Sequence, residues 1–185
     1  MGKLGALILV LIMMAKGYFP SEHTNISKYE TDLESVGGIE YMPERDSLTD
    51  YTDIRYSYKE IDTIMFVSYG LALFVEYDAE VYESKKEEAC ETHEFLKEPV
   101  KAWGATEDGR AHMSLPVTEY TYRGYNMKLI DGGSCKSFSM IGFNDELYTV
   151  VYCYFCDSDL DLISTEGDDP EKAMVDFTDE HFKWR

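Results

Sequence analysis

Apolar and polar residues alternate through LALFVEYDAEVYE: Leu71, Leu73, Val75, Tyr77, Ala79 and Val81 share one parity, and Glu76, Asp78 and Glu80 share the other. A period of two puts these sets on opposite faces of a strand, so the pattern predicts one buried face and one wet face carrying a row of acids. Gly70 separates this strand from the apolar run 63–69, and the two are expected to pair as a hairpin. A second β block is predicted over residues 117–122, 125–130, 135–141 and 147–155. Its connections are Arg123-Gly124, Asp131-Gly132-Gly133 and Asn144-Asp145.

Elsewhere the periodicity changes. Residues 18–60 read as polar and turn-rich, broken at Gly37-Gly38 and Pro43, with one short helix over 27–34 in which Ser27 caps and Glu30 closes a capping box. Residues 83–97 are charged and rich in helix formers up to Pro99. They fit a helix or, equally, a polar strand end and then a loop. In the tail, Asp168 or Asp169 caps a helix with Pro170 in its first turn, and Ala173, Val175, Phe177, Phe182 and Trp184 supply a partly apolar face. Short strands with turns between them, and then one C-terminal helix, predict a mainly β fold, an antiparallel barrel or sandwich.

The N-terminus changes the setting. Lys3, the apolar run 4–15 and Ala15-Lys16-Gly17 predict a secretory signal peptide, residues 1–17, cut after Gly17. Residues 18–185 read as a single secreted domain. No later apolar run approaches the roughly 20 residues of a membrane-spanning helix. Loss of the signal removes two lysines and no acid, so the formal charge moves from −19 to −21. Such a surface argues against nucleic acid and anionic membranes as partners and favours cationic ones. Fifteen Tyr and nine Phe give enough apolar area for a core, which excludes a disordered acidic chain. Asn25-Ile26-Ser27 is a glycosylation sequon at Asn25.

Four cysteines in a secreted chain predict two disulfides, each contributing about 2–4 kcal/mol. Cys153 and Cys156 differ in strand parity and so point to opposite faces. A bridge between them is disfavoured, and Cys90 and Cys135 are each expected to take one of them. The same parity, with no helix start or βαβ context, argues against a redox C-x-x-C. A zinc site joining Cys90, His93, Cys153 and Cys156 is unforced, and no metal is expected.

One motif points to a family. Cys135 and, eleven positions on, Glu146-Leu147-Tyr148 resemble the cysteine and Glu-Leu-aromatic pattern of tick salivary lipocalins of the histamine-binding class. Length, acidity, secretion signal and C-terminal helix are similar too. The chain departs from that family at Lys136 and Ser137, where the pattern has an acid and an aliphatic residue. Its closing cysteine comes sooner, the family's early cysteine has no counterpart before Cys90, and the Gly-x-Trp of ordinary lipocalins is missing. The resemblance implies a lipocalin-like β-barrel whose interior holds one small ligand.

For a biogenic amine such as histamine or serotonin, that interior needs a desolvated carboxylate and aromatic faces. Glu146, taken as a strand residue, shares parity with Tyr148, Tyr152 and Tyr154 and would complete the cup. For a lipid mediator, Arg123 and Lys128 would hold a carboxylate, with Met127, Leu129, Phe138 and Met140 along the chain. A third reading is a basic host protein (chemokine, complement or clotting factor) bound on the outer surface along Glu76, Asp78, Glu80, Glu83, Glu87 and Glu88. No enzyme is indicated: His23, His93, His112 and His181 stand in no metal or dyad spacing, and Ser134 is not in a nucleophile elbow. The expectation is a monomeric, secreted, cofactor-free binder.

Overall fold

The computed structural model describes residues 21–63, 66–101, 114–133, 136–157, 163 and 169–184. Its centre is a seven-stranded antiparallel sheet in the order β1-β2-β3-β9-β8-β7-β6. The strands are β1 (Ser21–His23), β2 (Tyr51–Thr63), β3 (Phe66–Tyr77), β6 (Glu119–Tyr122), β7 (Tyr125–Leu129), β8 (Ser137–Asn144) and β9 (Thr149–Asp157). β4 (Val100–Lys101) and β5 (Ser114–Leu115) form a separate two-stranded ladder. Among the described residues, three α-helices accompany them: α1 (Tyr29–Val36), α2 (Ala79–Thr92) and α3 (Pro170–His181). Among the described residues the sheet is open, with β1 and β6 at its margins.

The sheet is covered on both faces, and this decides how its central strands are built. In β3, Ala72 and Phe74 face α3, while Leu71, Leu73, Val75 and Tyr77 face α1 and α2. In β9 the split is Val151, Cys153 and Phe155 against Val150, Tyr152 and Tyr154. The expected wet face of β3 therefore does not exist. Chain direction changes at Asp78, which occupies the N-cap of α2 in extended conformation and whose carbonyl accepts from the Val81 and Tyr82 amides. From there AEVYESKKEEACET is a run of good helix formers, and helix propensity overrides the strand-like parity of Ala79 and Val81.

β2 is likewise longer than its polar sequence suggests. Ile54, Tyr56 and Tyr58 turn inward, and Arg55, Ser57 and Lys59 turn to the other face. Near the N-terminus, the Asn25 side chain accepts from the Ser27 amide at 3.1 Å and caps a 3-10 turn (Ile26–Lys28) that leads into α1, so the cap lies two residues before the expected Ser27. Asn25 itself is exposed.

α3 matches its sequence signals. Asp169 is the N-cap, its carboxylate accepting from the Glu171 and Lys172 amides at 3.1 Å, and Pro170 opens the helix. The buried stripe is Met174, Phe177, Thr178 and His181, the i, i+3, i+4, i+7 set that lies along one side of a helix. Beyond the helix, Trp184 packs edge-on to Phe74, Tyr122 and Tyr125 at ring distances of 5.0, 4.9 and 5.3 Å. Asp169→Ala is expected to cost about 1 kcal/mol through the lost cap, read as a lowered thermal midpoint.

The disulfide expectation needs correction. Cys90, Cys153 and Cys156 are free thiols, and Cys135 lies outside the described residues. Parity does place Cys153 and Cys156 on opposite faces. Cys153 is wholly buried in the layer beneath α3, where burial pushes its thiol pKa up, and Cys156 is half-buried on the other side. Cys90 is exposed on α2, which packs on the face opposite Cys153, so the sheet itself stands between those two thiols.

Candidate functional site

Glu146 and Tyr148 do not line a cup. Residues 145–148 form the β8–β9 turn, held by Asn144, whose side-chain oxygen accepts from the Glu146 and Leu147 amides at 3.1 and 2.9 Å. Tyr148 adopts φ +48, and its exposed ring meets the buried Tyr82 ring edge-on. A left-handed residue at that point breaks the alternation, so the parity linking Glu146 to Tyr152 and Tyr154 is lost. Glu146 is exposed in the turn.

The other expected residues also separate. Tyr154 is core: its ring stacks on Tyr41 at 5.1 Å and its hydroxyl bonds Ser137 at 2.9 Å. Arg123 sits in the β6–β7 turn, paired with Asp179 at 3.1 Å and lying over the Tyr122 ring. Lys128 reaches over Phe95. Met127, Leu129, Phe138 and Met140 are buried in the layer beneath α3. Lys136 is exposed, and Glu76, Asp78 and Glu80 are split between the end of β3 and the start of α2. Among the described residues, no three His, Cys, Asp or Glu side chains gather at one point as a metal site would need.

Tyr152 is different. It opens into a cleft of about 180 Å³ between α2, the end of β3 and the segment 43–49, lined also by Tyr77, Lys85, Glu88, Thr49 and His93. Tyr77 and Tyr152 are 3% and 9% exposed. Neither hydroxyl has a hydrogen-bond partner among the described residues and both oxygens reach solvent, so two largely buried rings present free phenol groups in the cleft. Burial, and after it Glu88 and Asp50, raises Tyr77 to about 12; burial, Tyr77 and Glu88 raise Tyr152. Both are therefore neutral hydroxyls at ordinary pH.

The rim comes from one helix. Glu88 pairs with Lys85 at 3.0 Å, and Lys85 also reaches Thr49 at 3.4 Å. His93 Nδ1 lies 2.9 Å from the Ala89 carbonyl. A carbonyl only accepts, so Nδ1 carries the proton and Nε2 of the neutral ring is left as an acceptor. The cleft thus offers a carboxylate, two phenols, an imidazole nitrogen and aromatic faces. Sequence reasoning reaches Tyr152 and names Glu88 and His93 in other roles. It reads Tyr77 only as a strand residue, although the place of Tyr77 in the apolar parity set marks it as inward-facing.

No protein-family profile, no curated protein and no solved structure matches the chain.

Proposed function

We propose that this protein is a secreted, non-enzymatic binder that sequesters a small aromatic amine of the histamine or serotonin kind in the Tyr77–Tyr152–Glu88 cleft. One observation carries this reading: two phenol hydroxyls without a partner among the described residues, on largely buried rings, stand with a carboxylate in one cleft of about 180 Å³. An ammonium entering there exchanges water for Glu88 and the phenols and gains cation–π attraction of about 0.5–2 kcal/mol from the rings. His93 Nε2 accepts from the ligand's second polar group. The proposal keeps the sequestering role that the lipocalin resemblance implies and moves the ligand from a barrel interior to a lateral cleft. A lipid mediator is disfavoured, because the apolar residues meant for its chain are filled core.

Lys85 opposes the ligand's charge and holds part of Glu88, which gives the test a signature. In calorimetric titration with histamine and serotonin, Glu88→Gln is expected to weaken binding by about 10-fold or more, the scale of a hydrogen bond to a charged group. Lys85→Met should tighten it several-fold, Tyr152→Phe should weaken it, and Glu146→Gln should change nothing. Amine binding that survives Glu88→Gln and Tyr152→Phe intact, or no amine binding at all, overturns the proposal.

A further inference from the structure

A second cleft, of about 200 Å³, lies on the other side of the segment 42–49. Its floor is the Tyr29 ring, Leu33 and Met42. The Tyr29 hydroxyl is turned away and bonded to the Pro43 carbonyl at 2.6 Å, so the floor offers no polar group from that side chain. Ile39 stands at the lip, 49% exposed. It is held there by its neighbours. Gly38 is pressed so closely on Tyr154 that a Cβ would come within 2.8 Å of the ring, and Tyr41 stacks on that same ring. The residue between these anchors has only the outward direction left.

The rim is acidic. Glu30, Glu34, Glu44 and Asp46 border the cleft against the cation Arg45. Arg45 lies 3.9 Å from Glu30 and 3.7 Å from Asp46, too far for hydrogen bonds, so the carboxylates keep their accepting capacity. All four acids are exposed and none reaches the floor. The two clefts differ in their floors: Tyr77 and Tyr152 line the first with phenol groups, whereas here the charge surrounds an apolar centre.

We infer that this cleft docks a basic peptide segment of a partner protein, one apolar side chain entering between Tyr29, Leu33, Met42 and Ile39 while flanking lysines or arginines meet Glu30, Glu34, Glu44 and Asp46. Charge complementarity selects the occupant: the chain carries −19 overall, which repels acidic partners and speeds encounter with basic ones. The cavity, of about 200 Å³ with an apolar floor, suits a single apolar side chain.

The test is fluorescence anisotropy of the full chain with a dye-labelled peptide bearing one leucine flanked by lysines, beside the same peptide with serine for leucine. The leucine peptide is expected to bind at low ionic strength, to weaken as salt rises, and to bind several-fold better than the serine peptide. Glu34→Lys should cost at least tenfold and Ile39→Ser several-fold; both positions are exposed, and circular dichroism confirms that the variants fold. Glu88→Gln and Tyr152→Phe should leave peptide binding unchanged, so failure here and failure of the amine proposal are distinguishable. Equal binding of the two peptides reduces the interaction to bulk charge and overturns the inference. So does affinity indifferent to Glu34→Lys and Ile39→Ser.

Discussion

Gly70→Val is expected to destabilise the protein by about 3 kcal/mol or more, the upper range for forced overpacking. Gly70 lies in β3 directly beneath the end of α3. A Cβ there would stand 2.9 Å from the His181 carbonyl carbon, closer still to its oxygen, and 3.3 Å from the Phe182 ring. The obstacle is backbone, which cannot rotate aside as a side chain can. Either α3 lifts, exposing Met174, Phe177 and Phe182, or β3 bends away from β9. Urea unfolding monitored by fluorescence in a Trp103→Phe background, which leaves Trp184 as the one tryptophan, should show a lower midpoint and a red-shifted native spectrum. An unchanged midpoint would mean that the helix end does not rest on Gly70.

Acid should loosen the same contact. His181 is 6% exposed, with its ring 4.4 Å from Phe177 and 5.0 Å from Phe155, and Nδ1 3.3 Å from the Ser68 hydroxyl. Burial first, and then the Lys59 ammonium, lowers its pKa to about 4. In the unfolded chain the ring titrates near the ordinary value of about 6.5, so between those values the unfolded state binds the extra proton. The contribution of neutral His181 is complete above about pH 6.5 and is lost as pH falls towards 4, a loss of up to about 3 kcal/mol. Carboxylates titrate at the lower end of this window, so the measurement is a difference. Unfolding free energies of wild type and His181→Phe are compared at pH 7.5 and 4.5, and the variant, which keeps an aromatic ring, should lose less. Equal losses would exclude His181 as the acid-labile group.

The fold is legible in the sequence where its signals are local. Asp169, Pro170 and the spacing of Phe177 announce α3, because caps and the first turn are written in adjacent residues; Met174 and His181 complete a buried stripe in which the sequence reading places Ala173 and Val175. The turns at Gly124, Gly132 and Asn144 end β6, β7 and β8 close to where expected. β2 escapes because Tyr51 to Glu60 carries its inward residues as tyrosines among charges. β3 is predicted to run past Tyr77 because Ala79 and Val81 fit two periodicities at once, and the Asp78 cap decides between them; the hairpin expected across Gly70 is instead one continuous strand, Phe66–Tyr77, that pairs with β2. Glu146 fails as a site residue for the same kind of reason: alternation is a property of strands, and one left-handed residue at Tyr148 cancels it. Tyr77, Glu88 and Tyr152 lie far apart in sequence and meet only through the β3–β9 pairing and the return of α2 across it, so no local spacing could announce their cleft.

Among the described residues the open sheet ends in two margins, and it treats them differently. β1 is only three residues long and covers β2 at Tyr58–Glu60. At the far side, the Thr121 amide of β6 donates to the Glu171 carboxylate from α3 at 3.1 Å. A group that would otherwise await a strand from another molecule is already engaged, and by a fixed negative charge that repels the acidic edge of any second copy. Seating α3 therefore does more than complete a core: it occupies an edge donor of β6, and conditions that lift the helix would free that donor as they expose the core.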